Sequence, residues 1–334
     1  MSEPIRWYVD DPLEKFWFTA LCYSSHHESD TQTKLTHHPI VCQQLDKQRL
    51  AHSPELLSKV FSLLIDAHYQ TSPDDIQRLL DAPESICFIM FQNNRVLGVA
   101  QVNQEGGLKL SGLAPAITQG QRRVKGHLVA QNIANLYNDE AFCTMRQWRI
   151  GRIAIHPHLQ QMGLGSELIA FIKQQAIKHQ TDLLTTAFGC NSALLKFWQL
   201  ADFELIKLSN KVEVSSGEHS CICVYSLHQD AQHTVNNLTK EFTNELQFQI
   251  DKAWKTMPST LLADILRYID EHNSVSQTDI VKQYCEGFRN LDSSQRVIRN
   301  HIFANAKELN KLTDSEQGIL VACILQKQVI CSSI

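Results

Sequence analysis

One stretch, Trp148 to Lys178, most constrains what this chain can fold into. Trp148 to Ile155 is rich in β-branched apolar residues, which predicts a strand. His156-Pro157 ends that strand, because proline cannot donate a hydrogen bond to a sheet ladder. A glycine-spaced turn from Gln160 to Gly165 follows, and apolar residues then recur at nearly helical spacing. The sequence therefore predicts a strand, a glycine turn and a helix in direct succession.

This succession is typical of an anion-binding site. The N–H groups of a first helical turn have no partner within the helix, and the helix dipole favours negative charge there. Gly163 and Gly165 allow a ligand to approach the backbone closely. The pattern lacks the G-K-[ST] of a P-loop and the three glycines of a dinucleotide-binding turn. An ordinary tight turn between strand and helix is the alternative interpretation.

Composition limits the class of protein. The 334 residues suffice for two small domains or one large one, with 43% hydrophobic and 20% charged residues. No apolar run reaches the ~18 residues of a membrane span, and the N-terminus has no signal-peptide pattern. The 10 cysteines contain no C-x-x-C and are expected to be reduced, so we expect a cytoplasmic protein that binds no membrane.

The densest basic cluster in the chain includes Arg122, Arg123, Lys125 and His127. The net charge of −4 predicts no global affinity for nucleic acid, so such a surface has to be a local patch. We interpret Arg122, Arg123 and Lys125 as a phosphate-contacting patch, with a solvated charged loop as the alternative. No metal site is expected, because the histidine pairs near the N-terminus lie in a polar, turn-rich stretch.

Further patterns predict the organisation of the chain. Two helices are predicted over residues 53–82, a hairpin turn at Asn93-Asn94, a loop over 104–107 and a short strand from Leu183 to Ala187. A polar stretch from residue 229 predicts a linker, followed by helices and a terminal hairpin of Ile319–Leu325 with Gln328–Cys331. We expect a leader with a first helix (1–45), a central domain (46–228) and a mainly helical, winged-helix-like tail domain (229–334).

The strand, turn and helix resemble the acyl-CoA motif of the GNAT acetyltransferases, whose [QR]-x-x-G-x-[GA] signature matches Gln160 to Gly165. The segment from Asn191 to Phe203 is similar to a second GNAT segment. The resemblance implies an α/β (α+β) GNAT fold, a mixed central sheet flanked by helices. It also implies acetyl-CoA as donor substrate, bound by Ile153, Ala154, Ile155, Gln160, Gln161, Met162, Gly163, Leu164, Gly165, Ser166 and Asn191.

Several other segments resemble the tRNA(Met) cytidine acetyltransferase family and its eukaryotic relatives. They include Ala67 to Ile76, Gly126 to Gln131 and Arg152 to Pro157, within a similarity that runs from about Glu3 to Leu227. Members of that family acetylate the exocyclic amine of a cytidine in RNA, using acetyl-CoA and ATP. The resemblance therefore implies direct acetyl transfer to RNA, with tRNA as the partner.

The family's N-terminal half carries a P-loop and a helicase-like ATPase, and no G-x-x-x-x-G-K-[ST] occurs in this chain. We therefore expect no ATP site here, so that either a separate ATPase/helicase protein supplies ATP coupling or the chain works without it on a different acceptor. Many GNAT enzymes reprotonate the thiolate with a tyrosine, but the corresponding aromatic pair here is Phe197-Trp198. His68 is the candidate catalytic base, because histidine exchanges a proton near neutral pH; a packed core histidine is the alternative.

Two other functions fit the sequence. The first is a stand-alone acetyltransferase of protein lysine or a small amine, which predicts that the basic patch is dispensable. The second is a non-catalytic acyl-CoA- or RNA-binding module, which fits the absent tyrosine. The intact turn from Gln160 to Gly165 speaks against the second function.

Overall fold

A computed structural model of the chain describes residues 8, 11–20, 35–66, 73–269 and 278–328. The chain divides into two compact units, Met1–Thr186 and Ala187–Ile334. This division falls inside a strand of the predicted central domain, and the predicted boundaries at 45/46 and 228/229 stay predictions. No helix within the described ranges combines the length and the apolar character that crossing a membrane requires.

The first unit contains five strands and eight helices among its described residues. The strands are β1 (Val41–Gln44), β2 (Ser85–Gln92), β3 (Arg95–Gly106), β4 (Arg146–Ile155) and β5 (Leu183–Gly189), which continues into the second unit. The helices are α1 (Pro12–Ala20), α2 (Lys47–Ala51), α3 (Pro54–Asp66), α4 (Pro73–Asp81), α5 (Ala114–Thr118), α6 (Leu128–Tyr137), α7 (Glu140–Thr144) and α8 (Leu164–Lys178).

The five strands form a mixed sheet in the order β1-β2-β3-β4-β5. The first three pairings are antiparallel and the pairing of β4 with β5 is parallel. Asn93 and Asn94, with φ of 49° and 62°, form the predicted tight turn between β2 and β3. The mixed sheet flanked by helices confirms the fold class that the sequence predicted.

Helical apolar stripes cover the sheet and form its core. On α3, Phe61 is fully buried and Leu64 is nearly so, in one cluster with Ile89 and Val99 of the sheet. On α8, the predicted apolar face is buried from Leu164 to Ala176. Burying one such leucine or isoleucine side chain stabilises the fold by about 1.5–3 kcal/mol. The predicted loop over 104–107 is wrong in part, because β3 continues to Gly106.

The second unit contains an antiparallel pair, β6 (Glu204–Val212) and β7 (His219–Ser226). Its helices are α9 (Ser192–Leu200), α10 (Gln229–Gln249), α11 (Ser259–Leu266), α12 (Thr278–Cys285), α13 (Leu291–Ala304) and α14 (Asp314–Leu320). A 3₁₀ segment covers Ala306–Lys311, and a π-helical turn at Val321–Leu325 follows α14.

Two predictions for the tail are wrong. The stretch from residue 229 is not a linker but the start of α10, since the His228 side chain accepts a hydrogen bond from the Ala231 N–H at 3.3 Å. The first strand of the predicted terminal hairpin, Ile319–Leu325, is helical. Thr313 and Glu316 form a capping box at the start of this helix. The helix start that this capping box stabilises outweighs the β-propensity of the apolar residues that follow.

Candidate functional site

A β-bulge interrupts β4 at its centre. Ile150 lies opposite Val102 of β3, but the next pair in the ladder is Arg152 opposite Gln101. Gly151 is therefore an extra residue on β4, and such an insertion bends the strand and redirects the side chains beyond it. An isolated glycine within a strand pattern is the signal from which the bulge could have been predicted.

The bulge brings two arginines to one face of the sheet. In a regular strand, residues three positions apart point to opposite faces. With Gly151 inserted, Arg149 and Arg152 lie opposite Asn103 and Gln101, and all four side chains line one cavity. This face of β4 therefore carries two guanidinium groups.

The ladder between β4 and β5 ends before β4 does. The last parallel pair is Ile150 with Thr186, whereas the pairing of β4 with β3 continues to Gly98 opposite Ile155. Of the strands that the structure describes, only β3 pairs with the last residues of β4. One edge of this part of β4 is therefore open to an extended ligand.

Alternate peptide groups at this end of β4 point toward the open edge. The His156 N–H donates to the Leu97 carbonyl at 2.8 Å, which defines a hydrogen-bonded pair with β3. Ile155 and Ile153 alternate with this pair, so their N–H and C=O groups face the other way. The Gln160 side-chain amide donates to the Ile155 carbonyl at 3.1 Å, which ties the edge to the glycine turn.

The glycine turn leads directly into α8. Gln161 and Gly163 have left-handed φ of 62° and 87°, and Gly163 is the N-cap residue, with no side-chain cap hydrogen bond. Among the described residues, no atom beyond the two chain neighbours of Gly163 would lie within 4 Å of a Cβ atom at this position. The N–H groups of Leu164, Gly165 and Ser166 form the uncovered first turn, which suits an anionic group.

Asn191 belongs to the second unit and is the N-cap of α9. Its Oδ1 accepts from the Leu194 N–H at 3.0 Å, and its Nδ2 donates to the Glu218 carboxylate at 3.3 Å. These bonds give Asn191 a structural role, and its contact with acetyl-CoA stays a prediction. Trp198 of the predicted aromatic pair is 3% exposed and packs as core.

A polar cavity of about 810 Å³ opens on the face that carries Arg149 and Arg152. It lies between α4, β3, β4 and the loop before α6. Four carboxylates and four cations line it: Asp74, Asp75, Asp81, Glu84, Arg78, Lys125, Arg149 and Arg152. The lining is therefore close to neutral and rich in both donors and acceptors.

Ion pairs hold both arginines of this cavity. Arg152 Nη2 lies 2.9 Å from Asp75 Oδ2, and Arg149 Nε donates to the Glu105 carboxylate. The Glu105 side chain is fully buried and also accepts from the Val129 N–H at 2.7 Å. Sequence reasoning missed Glu105, because nothing in the local pattern shows that its partner lies 44 positions away.

His127 is buried beside Glu105, and its Nδ1 accepts from the Gly106 N–H at 2.9 Å. Burial lowers the pKa of His127, and the positive charge of Lys109 lowers it further. An unprotonated ring is also what this hydrogen bond requires, so the geometry and the charge environment agree.

The predicted basic patch lies between α5 and α6. Arg122, Arg123 and Lys125 are exposed, and Lys125 also lines the polar cavity. The predicted base, His68, lies outside the described residues, between α3 and α4. Within the ranges that the structure describes, no three His, Cys, Asp or Glu side chains are grouped to hold a metal ion.

The bulged β4, its open edge and the glycine turn at α8 together define a GNAT acetyltransferase domain. The chain belongs to the GNAT acetyltransferase 2 family, whose family model matches residues 59–179 and 172–228.

Within that class, the chain is similar to curated tRNA(Met) cytidine acetyltransferases TmcA. It is 32% identical over 268 residues to that of Nitrosococcus halophilus, covering 80% of this chain and 36% of the relative. It is 28% identical over 330 residues to that of Vibrio cholerae, covering 98% of this chain and 45% of the relative. The chain thus spans less than half the length of these relatives.

Solved structures similar to the chain include an agmatine N-acetyltransferase, with a TM-score of 0.41 and 13% identity over 56% of this chain and 100% of the other. A Bacillus subtilis acetyltransferase in complex with CoA has a TM-score of 0.37 and 13% identity over 57% of this chain and 100% of the other.

Proposed function

We propose that this chain transfers an acetyl group from acetyl-CoA directly to the exocyclic amine of a cytidine in RNA, with tRNA as the RNA. The observation that carries the proposal is the open edge of β4, which leads into the uncovered first turn of α8. The names of the curated relatives support cytidine in tRNA as the acceptor.

The residues at this edge fit the donor substrate. The N–H groups from Met162 to Ser166 would hold the pyrophosphate, since the turn offers unpaired donors and the positive end of a helix dipole. The peptide groups of Ile153 and Ile155 would hydrogen-bond the amides of the pantetheine arm, which would lie along β4 like an added strand. Asn191 and the Gln160 and Gln161 side chains are proposed as further contacts.

The bound thioester supplies an activated acetyl group. The cytidine nitrogen forms a bond to the acetyl carbon, the carbon–sulfur bond breaks, and the proton lost by the amine is transferred to the thiolate. A β4 N–H near Ile155 would stabilise the negative charge that develops on the carbonyl oxygen. Positioning two bound reactants supplies much of the remaining rate enhancement. His68 is the proposed base for the proton.

The exposed cations of the basic patch, of which Lys125 lines the polar cavity, support an RNA partner. Arg122, Arg123 and Lys125 would contact phosphates, and such contacts fix an RNA without reading its sequence. If ATP is needed, a separate ATPase/helicase protein would supply that coupling. The cytoplasm is the proposed location.

Acetylation of protein lysine or a small amine is a second candidate function. The observation that favours it is that the close-to-neutral lining includes carboxylates, one of which could pair with the ammonium group of a cationic amine. A lysine acceptor has an ordinary pKa of about 10.4 and must lose a proton before it attacks, whereas the cytidine amine is already uncharged.

The two functions are separated by offering the purified chain labelled acetyl-CoA with either total tRNA or a lysine-rich protein mixture. Each reaction is run with and without ATP, and the RNA is digested to nucleosides. Label in N-acetylcytidine is the expected result, and its appearance without ATP means that the chain needs no ATPase partner. Label confined to protein would replace the RNA assignment with the lysine assignment.

A further inference from the structure

We propose that Arg149 and Asn103 form a recognition subsite for the O2 and N3 atoms of the acceptor cytosine. The inference rests on the proposed function and adds the residues that determine its base specificity. Both side chains line the polar cavity, from opposite positions on β4 and β3.

Gly151 creates the space in which these two side chains meet. A Cβ atom built on Gly151 would lie 3.0 Å from Arg149 Nη1 and 3.0 Å from the Asn103 amide nitrogen. Two hydrogen-bond donors therefore converge on one point above the bulge. Any larger residue at position 151 would occupy that point.

Buried Glu105 fixes the orientation of the Arg149 guanidinium. The carboxylate binds Nε, and it is itself held by the N–H groups of Val129 and Ala130 at 2.7 and 3.2 Å. With Nε engaged, the two Nη groups form the end of the side chain, and Nη1 lies over Gly151. A guanidinium held in this way can donate two parallel hydrogen bonds to a planar ligand edge.

The charge balance of the cavity favours a nucleobase over a phosphate. Four carboxylates offset four cations in the lining, so a polyanion gains little there. A neutral base edge with both acceptors and donors matches such a mixed lining. The exposed Arg122 and Arg123 do not line the cavity and are available for the phosphates.

The subsite lies on the strand whose last residues are proposed to bind the donor. Arg149 Nη1 lies over Gly151, which is two residues before Ile153 and four before Ile155, or roughly 7 and 13 Å at the ordinary strand rise. A cytosine that presents O2 and N3 to Arg149 carries N4 at the third position of the same edge. Uracil has a hydrogen on N3, so it would oppose the guanidinium with a donor.

The test uses the whole chain, acetyl-CoA with ATP, and RNA oligonucleotides that contain one cytidine or one 3-deazacytidine, which lacks the N3 acceptor. Arg149→Lys and Gly151→Ala are compared with the wild type. Two variants are the matched controls. Arg146→Lys changes a half-exposed arginine of the same strand. Gly112→Ala adds a Cβ atom that would have no atom of the described residues within 4 Å beyond its chain neighbours and the backbone nearby.

Arg149→Lys and Gly151→Ala are each expected to lower kcat/KM for the cytidine RNA by about 10- to 100-fold, while acetyl-CoA binding stays within about twofold. The 3-deaza substitution should lower the wild-type rate by a similar factor and have little further effect on Arg149→Lys. Gly151→Ala keeps the test valid if Arg149→Lys fails to fold, since its backbone φ lies outside the left-handed region.

The failures of the two proposals are distinguishable. A wild type that acetylates the cytidine RNA, with both variants equal to their controls, overturns the subsite and leaves the proposed function standing. A wild type that binds acetyl-CoA but labels no cytidine overturns both.

Discussion

Asp75 at the start of α4 and Arg152 on β4 form an ion pair of 2.9 Å, with side chains that are 16% and 10% exposed. The pair joins the helix beside the polar cavity to the strand position that follows the bulge. Because both partners are largely removed from water, loss of one leaves the other charge poorly compensated.

Asp75→Asn is therefore expected to lower the free energy of unfolding by about 2–4 kcal/mol, measured by urea denaturation. The ion pair of Lys282 and Glu286 is the comparison. Lys282 Nζ lies 3.9 Å from Glu286 Oε1, and the two side chains are 72% and 45% exposed. Lys282→Gln should cost less than about 0.5 kcal/mol. Equal losses in the two variants would show that the Asp75 pair behaves as a surface pair.

Gly163→Asp is expected to weaken acetyl-CoA binding by more than about tenfold, because it places a carboxylate where the pyrophosphate is proposed to lie. The position has a left-handed φ of 87° and room for a side chain. Gly163→Asn is the matched control, since asparagine has the same shape, tolerates this φ and carries no charge. Isothermal titration should show much weaker binding for the aspartate variant alone, and equal affinities would exclude a pyrophosphate at this turn.

The strand, the glycine turn and the helix of the candidate site could be predicted because their signals are local. Apolar spacing, a proline and the two glycines of the turn lie within the 31 residues from Trp148 to Lys178. The structure adds the exact conformation, with left-handed backbone at Gln161 as well as Gly163. A motif with its own turn chemistry depends little on the rest of the chain.

The polar cavity and the bulge beside it depend instead on pairing between residues that are distant in the sequence. The bulge at Gly151 exists only relative to β3, and Glu105 is recognisable as buried only once Arg149 and α6 surround it. Glutamate beside two glycines predicts a loop on local grounds, and tertiary contacts overrode that preference. The isolated glycine within the strand pattern is a local signal for a bulge, but the register with β3 and the burial of Glu105 are properties of the folded chain.

The fold should lose stability in mild acid through His127. Its pKa is lowered by burial and by Lys109, against the opposing effect of Glu105 and Glu84. Below the unfolded pKa of about 6.5, the unfolded chain binds a proton that the folded chain does not, so unfolding is increasingly favoured as the pH falls. The loss continues down to the lowered folded pKa, at up to about 1.4 kcal/mol per pH unit.

His127→Asn keeps a hydrogen-bond acceptor near the position of Nδ1 and removes the titration. We expect the free energy of unfolding of this variant to fall less than that of the wild type between about pH 7 and pH 5. Lys109→Gln, which removes the repelling cation, should reduce the same dependence in part. An unchanged pH dependence in His127→Asn would assign the acid sensitivity to other groups.

Arg122→Ala combined with Arg123→Ala is expected to weaken tRNA binding. It should also reduce the magnitude of the slope of log affinity against log salt by about 1.5, because binding releases fewer counterions when two phosphate contacts are lost. Fluorescence anisotropy over a range of salt concentrations measures both quantities. Lys307→Ala with Lys311→Ala removes two cations of the tail and is the matched control. If the control changes the slope and the Arg122/Arg123 variant does not, the tail carries the phosphate contacts. Retention of wild-type acetyl-CoA binding by the Arg122/Arg123 variant would show, in the same preparation, that the domain is folded.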